Sequence, residues 1–395
     1  MSLQNTANTD LPAFILPSGR ILLNGELVEP RGTDRSIDAV NPATGQTIMS
    51  FPACSAEDVD RAVKAAHACF ESREWQTMRP LDRGRLLENL ALLVERHRDE
   101  LAALESLDSG KLFTVTRAID LQFTIDGLRY FAGWASKITG EYVTHNPLVA
   151  EDAIYRAYTQ RRPVGVIGGI TPWNFPMGQA IQKIAPAIAF GCTVVLKPSE
   201  ESSLTTLRLG ELIAEAGFPA GAVNIVTGYG AEAGAALVDH PLVRKIAFTG
   251  STATGQRILA ASAATMKRVT LELGGKSPTI VLADADLDRA IPGAAGAIFA
   301  NSGQICTAGS RLLIEAQIYD RVIEGVAQIA ADLRLGSPFD SNTQIGPLIS
   351  LRQRERVSSM VEGGLAQGAT AIAGGTYGEG EGWFYRPTVL AGVSP

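Results

Sequence analysis

The 395-residue chain carries 35 basic against 41 acidic residues, a formal net charge of −6, and 46% hydrophobic residues. That length and apolar content suffice for a real core and two sizeable domains, while the slight acidity supplies no basic surface on average and argues against nucleic acid as the main partner. Cys54, Cys69, Cys192 and Cys306 show no CxxC spacing, so neither a disulfide framework nor a metal site is indicated, and the pattern suits a reducing cytoplasm.

The first ten residues, Met1 to Asp10, lack the basic and apolar regions of a secretory signal, so no export is expected. From Ser55 the spacing of Ala62, Val63, Ala66, Cys69 and Phe70 predicts an amphipathic helix, with Ser55 as N-cap and Asp58 in the capping-box position. A second long helix is expected from Pro80, carrying Leu87, Leu90, Leu93, Val94 and Leu101 to a glycine stop at Ser109-Gly110. A third is expected from Val115 to Ser136. Tyr142 to Arg161 alternates as an extended hairpin, with Ala153, Tyr155 and Ala157 on one face and Ile154, Arg156 and Tyr158 on the other.

Strands and helices then alternate: Val164 to Ile170, a helix to Phe190, Thr193 to Leu196, a helix from Ser203, Val223 to Val226, a helix from Ala231, and Lys245 to Phe248. The apolar run Ile184 to Leu196, interrupted by Pro186 and Gly191, is too short for a membrane span and reads as a helix end, a turn and a strand. Short apolar strands between helices indicate an α/β fold, a parallel sheet covered on both faces, with dinucleotides bound at the carboxyl ends of its strands. Beyond Glu272 a second α/β unit is expected, with strand Thr279 to Leu282, helix Leu287 to Asn301, strand Arg311 to Ile314, and a surface loop from Gly374 to Gly382.

The chemistry centres on Cys306, in Gly303-Gln304-Ile305-Cys306-Thr307-Ala308-Gly309, 34 residues after Glu272 in Leu271-Glu272-Leu273-Gly274-Gly275-Lys276. A thiolate adds readily to carbon electrophiles, and a nearby carboxylate can activate water against the resulting thioester. A lone cysteine is more often a small core residue. Gly275-Lys276-Ser277 looks like the end of a phosphate loop, but Thr270 stands where that motif needs glycine, so the pattern is discarded; Gly228-Tyr229-Gly230-Ala231-Glu232-Ala233-Gly234 is a dinucleotide fingerprint with one residue too many, a weak match that a strand-to-helix turn explains equally well. His67, His97, His145 and His240 show no ligand or triad spacing.

Five segments in register resemble the aldehyde dehydrogenase superfamily: Ile170-Thr171-Pro172-Trp173-Asn174-Phe175-Pro176, Lys197-Pro198-Ser199-Glu200, Phe248-Thr249-Gly250-Ser251-Thr252, and the Glu272 and Cys306 motifs. The resemblance runs from about residue 20 onward and implies NAD-dependent oxidation of an aldehyde through a cysteine hemithioacetal and thioester. It implies a Rossmann-like NAD-binding domain over 20–141 and 163–271, a projecting oligomerisation hairpin over 142–162, and a catalytic domain from 272 to 395 that is incomplete here. Members continue well past Gly382-Trp383-Phe384-Tyr385-Arg386-Pro387-Thr388, so the family's later glutamate, which holds the nicotinamide ribose, lies outside this chain.

By the same resemblance Cys306 is the nucleophile, Asn174 and the Cys306 amide hold the oxyanion, and Glu272 is the base, relayed through Lys183. Ile170, Thr171, Pro172, Trp173, Lys197, Ser199, Glu200, Gly230, Phe248, Thr249, Gly250, Ser251, Leu273 and Gly274 border the cofactor. Glu200 opposes a 2′-phosphate and favours NAD, with NADP still accepted by some members. Phe175, Gly178, Gln179 and Gln182 share a face at helical spacing and, with Ile305 and Thr307, form the expected substrate pocket for a larger or hydrogen-bonding aldehyde. The expected partners are this aldehyde and further copies of the chain, as a homodimer or homotetramer when full length, in the cytoplasm. A non-catalytic dinucleotide-binding relative or inactive fragment, and a semialdehyde dehydrogenase that passes the acyl group to coenzyme A, are the alternatives.

Overall fold

The computed structural model describes residues 14–31, 35–143 and 155–393. Its centre is a seven-stranded sheet, in spatial order Arg268–Leu273, Val243–Gly250, Val166–Ile170, Thr193–Lys197, Val223–Ile225, Ile21–Leu23 and Glu26–Val28. The first five run parallel, and the last two join antiparallel. The two N-terminal strands were too short to read from the sequence, and Arg268–Leu273 was hidden because its residues alternate between exposed and half-buried.

Alternate residues of the middle strands enter different cores, as the two-residue period of a strand requires. Ile167, Val194 and Leu196 pack with Leu87, Leu128 and Ile184 from helices on one face. Val166, Val195 and Ile246 pack with Val59, Val63 and Leu237 on the other. Both faces are covered, so Val166–Ile170 and Thr193–Lys197 are buried along their whole lengths.

The helix Ala56–Glu71 has the expected capping box, Ser55 with Asp58. The long helix expected from Pro80 is two, Pro80–Arg96 and Arg98–Ser109, separated at His97 (φ −98°, ψ 18°) and stopped by left-handed Gly110. Leucine spacing runs through the break, and every residue from Leu101 to Ser109 is buried, so no change of polarity marks the second helix. The third begins with a turn and a wide π-helical segment, Thr116–Asp120, before the α-helix Leu121–Trp134. Of the hairpin, Tyr142–Val143 pairs with Ala157–Tyr158; Ala153 and Ile154 lie outside the described residues.

Chain order reverses about Val166–Ile170, with Thr193–Lys197 on one side and Val243–Gly250 on the other. The loops leaving the carboxyl ends of these strands therefore open a crevice at the switch point. The second unit pairs Pro278–Val281 in parallel with Arg311–Ile314 and Thr370–Ala373 antiparallel with Val389–Ala391, around a separate core that includes Val281, Phe299, Val322 and Val326. Glu272 belongs to the last strand of the large sheet and not to the connection beyond it. Among the described residues no helix is long and apolar enough to cross a membrane.

Candidate active site

The loop after Val166–Ile170 is tied down on both sides. The Thr171 amide donates to the Lys197 carbonyl at 3.1 Å, and the Ser202 hydroxyl donates to the Trp173 carbonyl at 3.1 Å. Pro176 then opens the helix Pro176–Ala189 at a position where its missing N–H costs nothing. Between these anchors Asn174 donates from Nδ2 to the Gln304 carbonyl at 2.8 Å. The amide expected at an oxyanion thus meets the chain two residues before Cys306, leaving its second N–H free of that bond.

The nucleophile loop is held in a conformation that side chains ordinarily avoid. Asn301, Ser302 and Gly303 are all left-handed, with φ of 50°, 54° and 74°, at roughly 1–2 kcal/mol for each non-glycine residue. Local bonds offset this cost: the Ser302 hydroxyl donates to the Gly346 carbonyl at 2.8 Å, Asn301 Nδ2 donates to the Gln304 carbonyl at 3.3 Å, and Gln304 Oε1 accepts from the Ile349 amide at 3.0 Å. Such strain persists where surrounding structure over-determines it, typically at functional sites. Cys306 follows in an exposed turn, whereas Cys54, Cys69 and Cys192 are buried.

Glu272 stands in register with Thr249 on the neighbouring parallel strand, so the two side chains leave the same face of the sheet. Thr249 Oγ1 accepts from Lys183 Nζ at 2.8 Å, and Lys183 also donates to Gln179 Oε1 at 3.2 Å. Burial pushes the Lys183 ammonium down to about 8, with the Glu272 carboxylate acting in the opposite sense. The chain beyond Glu272 lies against the nucleophile loop, because a Cβ built on Gly275 would stand 3.8 Å from the Cys306 carbonyl oxygen. Glu272, Lys183 and Thr249 line a cleft of about 1930 Å³ together with Phe123, Gly178 and Gln182.

The four positions expected to share a helical face divide. Gly178 and Gln182 line the cleft, whereas Gln179 is engaged by Lys183. The Phe175 ring lies beneath the Lys111 ammonium, 3.8 Å from its centroid. Phe175 is the N-cap, with φ −140° and ψ 66°, so helical spacing does not govern its direction. Ile305 is half-buried and Thr307 exposed beside Cys306.

At the end of Thr193–Lys197, Lys197 Nζ donates to the Pro198 carbonyl at 2.6 Å and to Glu200 Oε2 at 3.3 Å. Burial alone would push the Glu200 carboxyl up, yet Lys197 and the amides of Glu200 and Gly230 outweigh it and hold the carboxyl below its usual range. Ser199 is buried beside them. One ammonium and one ionised carboxylate side by side suit a pair of ribose hydroxyls. The buried Thr171 hydroxyl has no protein partner, and Ile170 and Phe248 are buried below the crevice. A Cβ on Gly250 would stand 2.5 Å from the Phe248 ring, so a side chain cannot fill the floor there. Ser251 caps the helix Thr252–Ala263 by accepting from the Thr254 amide at 3.3 Å, leaving the Thr252 and Ala253 amides for an anion. Gly230 opens a π-helical turn, Gly230–Gly234, and Gly274 carries open space where a Cβ would stand.

Sequence reasoning missed Gln304, Asn301, Ser302 and Phe123. Asn301-Ser302-Gly303 is a recognisable turn signal, but the bonds of the Gln304 carbonyl and side chain have no signature in a sequence.

A thiol on a left-handed turn, an amide bonded to the same loop, and a carboxylate on the edge strand of a parallel α/β sheet are the groups that a thiol-dependent oxidoreductase requires. The chain belongs to the aldehyde dehydrogenase family, whose model matches residues 28–395. It is 47% identical to the phenylacetaldehyde dehydrogenase of Pseudomonas fluorescens over 98% of this chain and 77% of that one. It is 45% identical to retinaldehyde dehydrogenase 3 of Homo sapiens over 95% of this chain and 72% of that one. Among solved structures, the NAD+ complex of the aldehyde dehydrogenase from Bacillus cereus superimposes with a TM-score of 0.91 at 43% identity, over 100% of this chain and 78% of that one. The chain thus spans about three quarters of the length of these relatives. It is an enzyme that binds NAD and oxidises an aldehyde.

Proposed function

We propose that Cys306 attacks the aldehyde carbon, with the oxyanion received by the free N–H of Asn174 and the backbone amide of Cys306. The observation that carries this reading is the 2.8 Å bond from Asn174 to the Gln304 carbonyl, which joins donor and nucleophile loops. A preorganised donor of this kind is worth about 2.7–4 kcal/mol in other enzymes. NAD supplies the hydride acceptor when bound. Its adenosine ribose would meet Lys197 and Glu200, its pyrophosphate the first turn of Thr252–Ala263, and its nicotinamide the region of Thr249, Leu273 and Gly274. Glu272 then takes a proton from water, the hydroxide adds to the thioester carbon, and the Cys306 thiolate leaves as the carboxylic acid forms. Lys183, its ammonium pushed down to about 8 by burial, passes the proton from Glu272 onward when it is the free amine.

Glu200 sets the preference for NAD, because an ionised carboxylate facing the ribose repels a 2′-phosphate. Glu200→Gln is expected to shift the ratio of NADP to NAD affinities by about 10-fold toward NADP, roughly 1.4 kcal/mol, read by titrating protein fluorescence with each dinucleotide. An unchanged ratio removes Glu200 from this role.

The substrate is a larger or hydrogen-bonding aldehyde. A Cβ on Gly178 would stand 3.5 Å from Phe123 Cδ1, so the absence of a side chain leaves room beside an aromatic wall, and exposed Gln182 offers an amide. Gly178→Trp is expected to lower kcat/KM for arylacetaldehydes about 10-fold or more relative to acetaldehyde, within the range by which a pocket rejects bulk. Equal changes for both substrates would reject this pocket.

The three-part division, 20–141 with 163–271 for NAD, 142–162 as an oligomerisation hairpin, and 272–395 for catalysis, belongs to the same proposal. So do a dimeric or tetrameric state and a cytoplasmic setting. The experiment that tests the reading follows NADH absorbance with a panel of aldehydes, with and without coenzyme A. Free acid as product under both conditions supports it, and an acyl-coenzyme A product would overturn the hydrolytic step.

A further inference from the structure

The segment from Glu105 to Lys111 carries a buried charged cluster that no step above uses. Glu105 is 0%, Lys111 4% and Asp120 7% exposed. Lys111 Nζ lies 3.7 Å from Glu105 Oε1 and pairs closely with Asp120 Oδ2. Asp120 is brought there by the wide turn Thr116–Asp120. Burial pushes the Glu105 carboxyl up to about 7, although Lys111 draws it the other way.

This cluster touches both loops of the active site. On one side the ammonium sits over the Phe175 ring, 3.8 Å from its centroid, and Glu105 Oε2 accepts from the Met177 amide at 3.3 Å; Phe175 is the residue after Asn174. On the other side Gly110 is pressed against Gly346 and Pro347, and a Cβ on Gly110 would stand 2.7 Å from Pro347 Cγ. The Gly346 carbonyl is the acceptor for Ser302 in the left-handed turn before Cys306. A small cavity of about 30 Å³ beside Gly110 is lined by Lys111, Asn301, Ser302 and Gly346. Lys111, Phe175, Asn174, Gln304, Ser302, Gly346 and Gly110 therefore close a ring of contacts.

We propose that Lys111 is a positioning residue, which through the Phe175 ring sets the Asn174 amide against the Cys306 loop. Cation–π attraction is stronger where the cation is desolvated, as the buried Lys111 is here. Asp120 and Glu105 fix the ammonium over the ring, and the ring fixes the backbone from which Asn174 projects. Lys111 touches no reacting atom.

The inference rests on Asn174 being an oxyanion donor, and a double-mutant cycle tests the two separately. Lys111→Met is expected to lower kcat about 10-fold to 100-fold, as a small misplacement of a catalytic group does, with the NAD affinity nearly unchanged and the melting temperature lowered by the two carboxylates left unpaired. In an Asn174→Ala background the same substitution is expected to lower kcat less than about twofold, since the group it positions is gone. Lys111→Arg, which keeps a cation over the ring, should recover most of the loss. Should Lys111→Met fail to fold with two carboxylates left unpaired, Phe175→Leu breaks the same link without disturbing the charges, and the same cycle is expected. Equal falls in both backgrounds, or no fall in the native one, overturn the proposal. An Asn174→Ala enzyme with native kcat would instead overturn the oxyanion assignment.

Discussion

Cys306→Ala is expected to abolish aldehyde-dependent NADH formation, by at least about 10⁴-fold given what loss of a covalent nucleophile costs elsewhere, while leaving NAD affinity and thermal stability as they were. The second half follows from the structure. Cys306 lies on an exposed turn, so removing its sulfur opens no cavity, and the left-handed turn before it is held by Ser302, Asn301 and Gln304. Alkylation supplies an independent readout. Burial pushes the Cys54 thiol up to about 12 and Cys69 to about 11, and raises Cys192 as well, so these three stay protonated at neutral pH. Iodoacetamide should then label one thiol in the native enzyme and none in Cys306→Ala. Activity surviving in the variant, or unchanged labelling, would move the nucleophile elsewhere.

The inner parallel strands could be read from the chain because they are short, largely apolar runs between helices, and burial on both faces is what Val166–Ile170 and Thr193–Lys197 encode. Arg268–Leu273 could not: as the last strand of the sheet it has a neighbour on one side only, and its residues alternate without an apolar run. The split at His97 escaped for the opposite reason, since every position from Leu101 to Ser109 is buried and no exposed face betrays the axis. At the site, Cys306, Asn174, Glu272 and Lys197 were visible as residue types in motifs. What brings them together was not: the Gln304 carbonyl, the Gly346 acceptor and the Lys111 cation over Phe175 are contacts between segments far apart in sequence. A motif names the groups that react, and the bonds that aim them appear only once the chain is folded.

Glu272→Gln is expected to separate the two halves of the reaction. Formation of the hemithioacetal and loss of hydride need Cys306 and the oxyanion donors, so a first turnover should still release about one NADH per site. Hydrolysis needs a base, and its loss should slow the steady state by about 10²–10⁴-fold. Rapid mixing with a good aldehyde would show a burst followed by a slow phase, and the stalled acyl group on Cys306 should appear in the intact mass. Lys183 is expected to give the native enzyme its pH dependence. With its ammonium pushed down to about 8 by burial, it is mostly charged at pH 7 and cannot take a proton from Glu272, whereas above pH 8 it is mostly the free amine. Hydrolysis should therefore quicken as pH rises through 8 and then level, and Lys183→Met should remove that inflection while leaving the burst. If Glu272→Gln slowed burst and steady state alike, the carboxylate would act before the thioester forms, as the base that ionises Cys306, and the role given to Lys183 would fall with it.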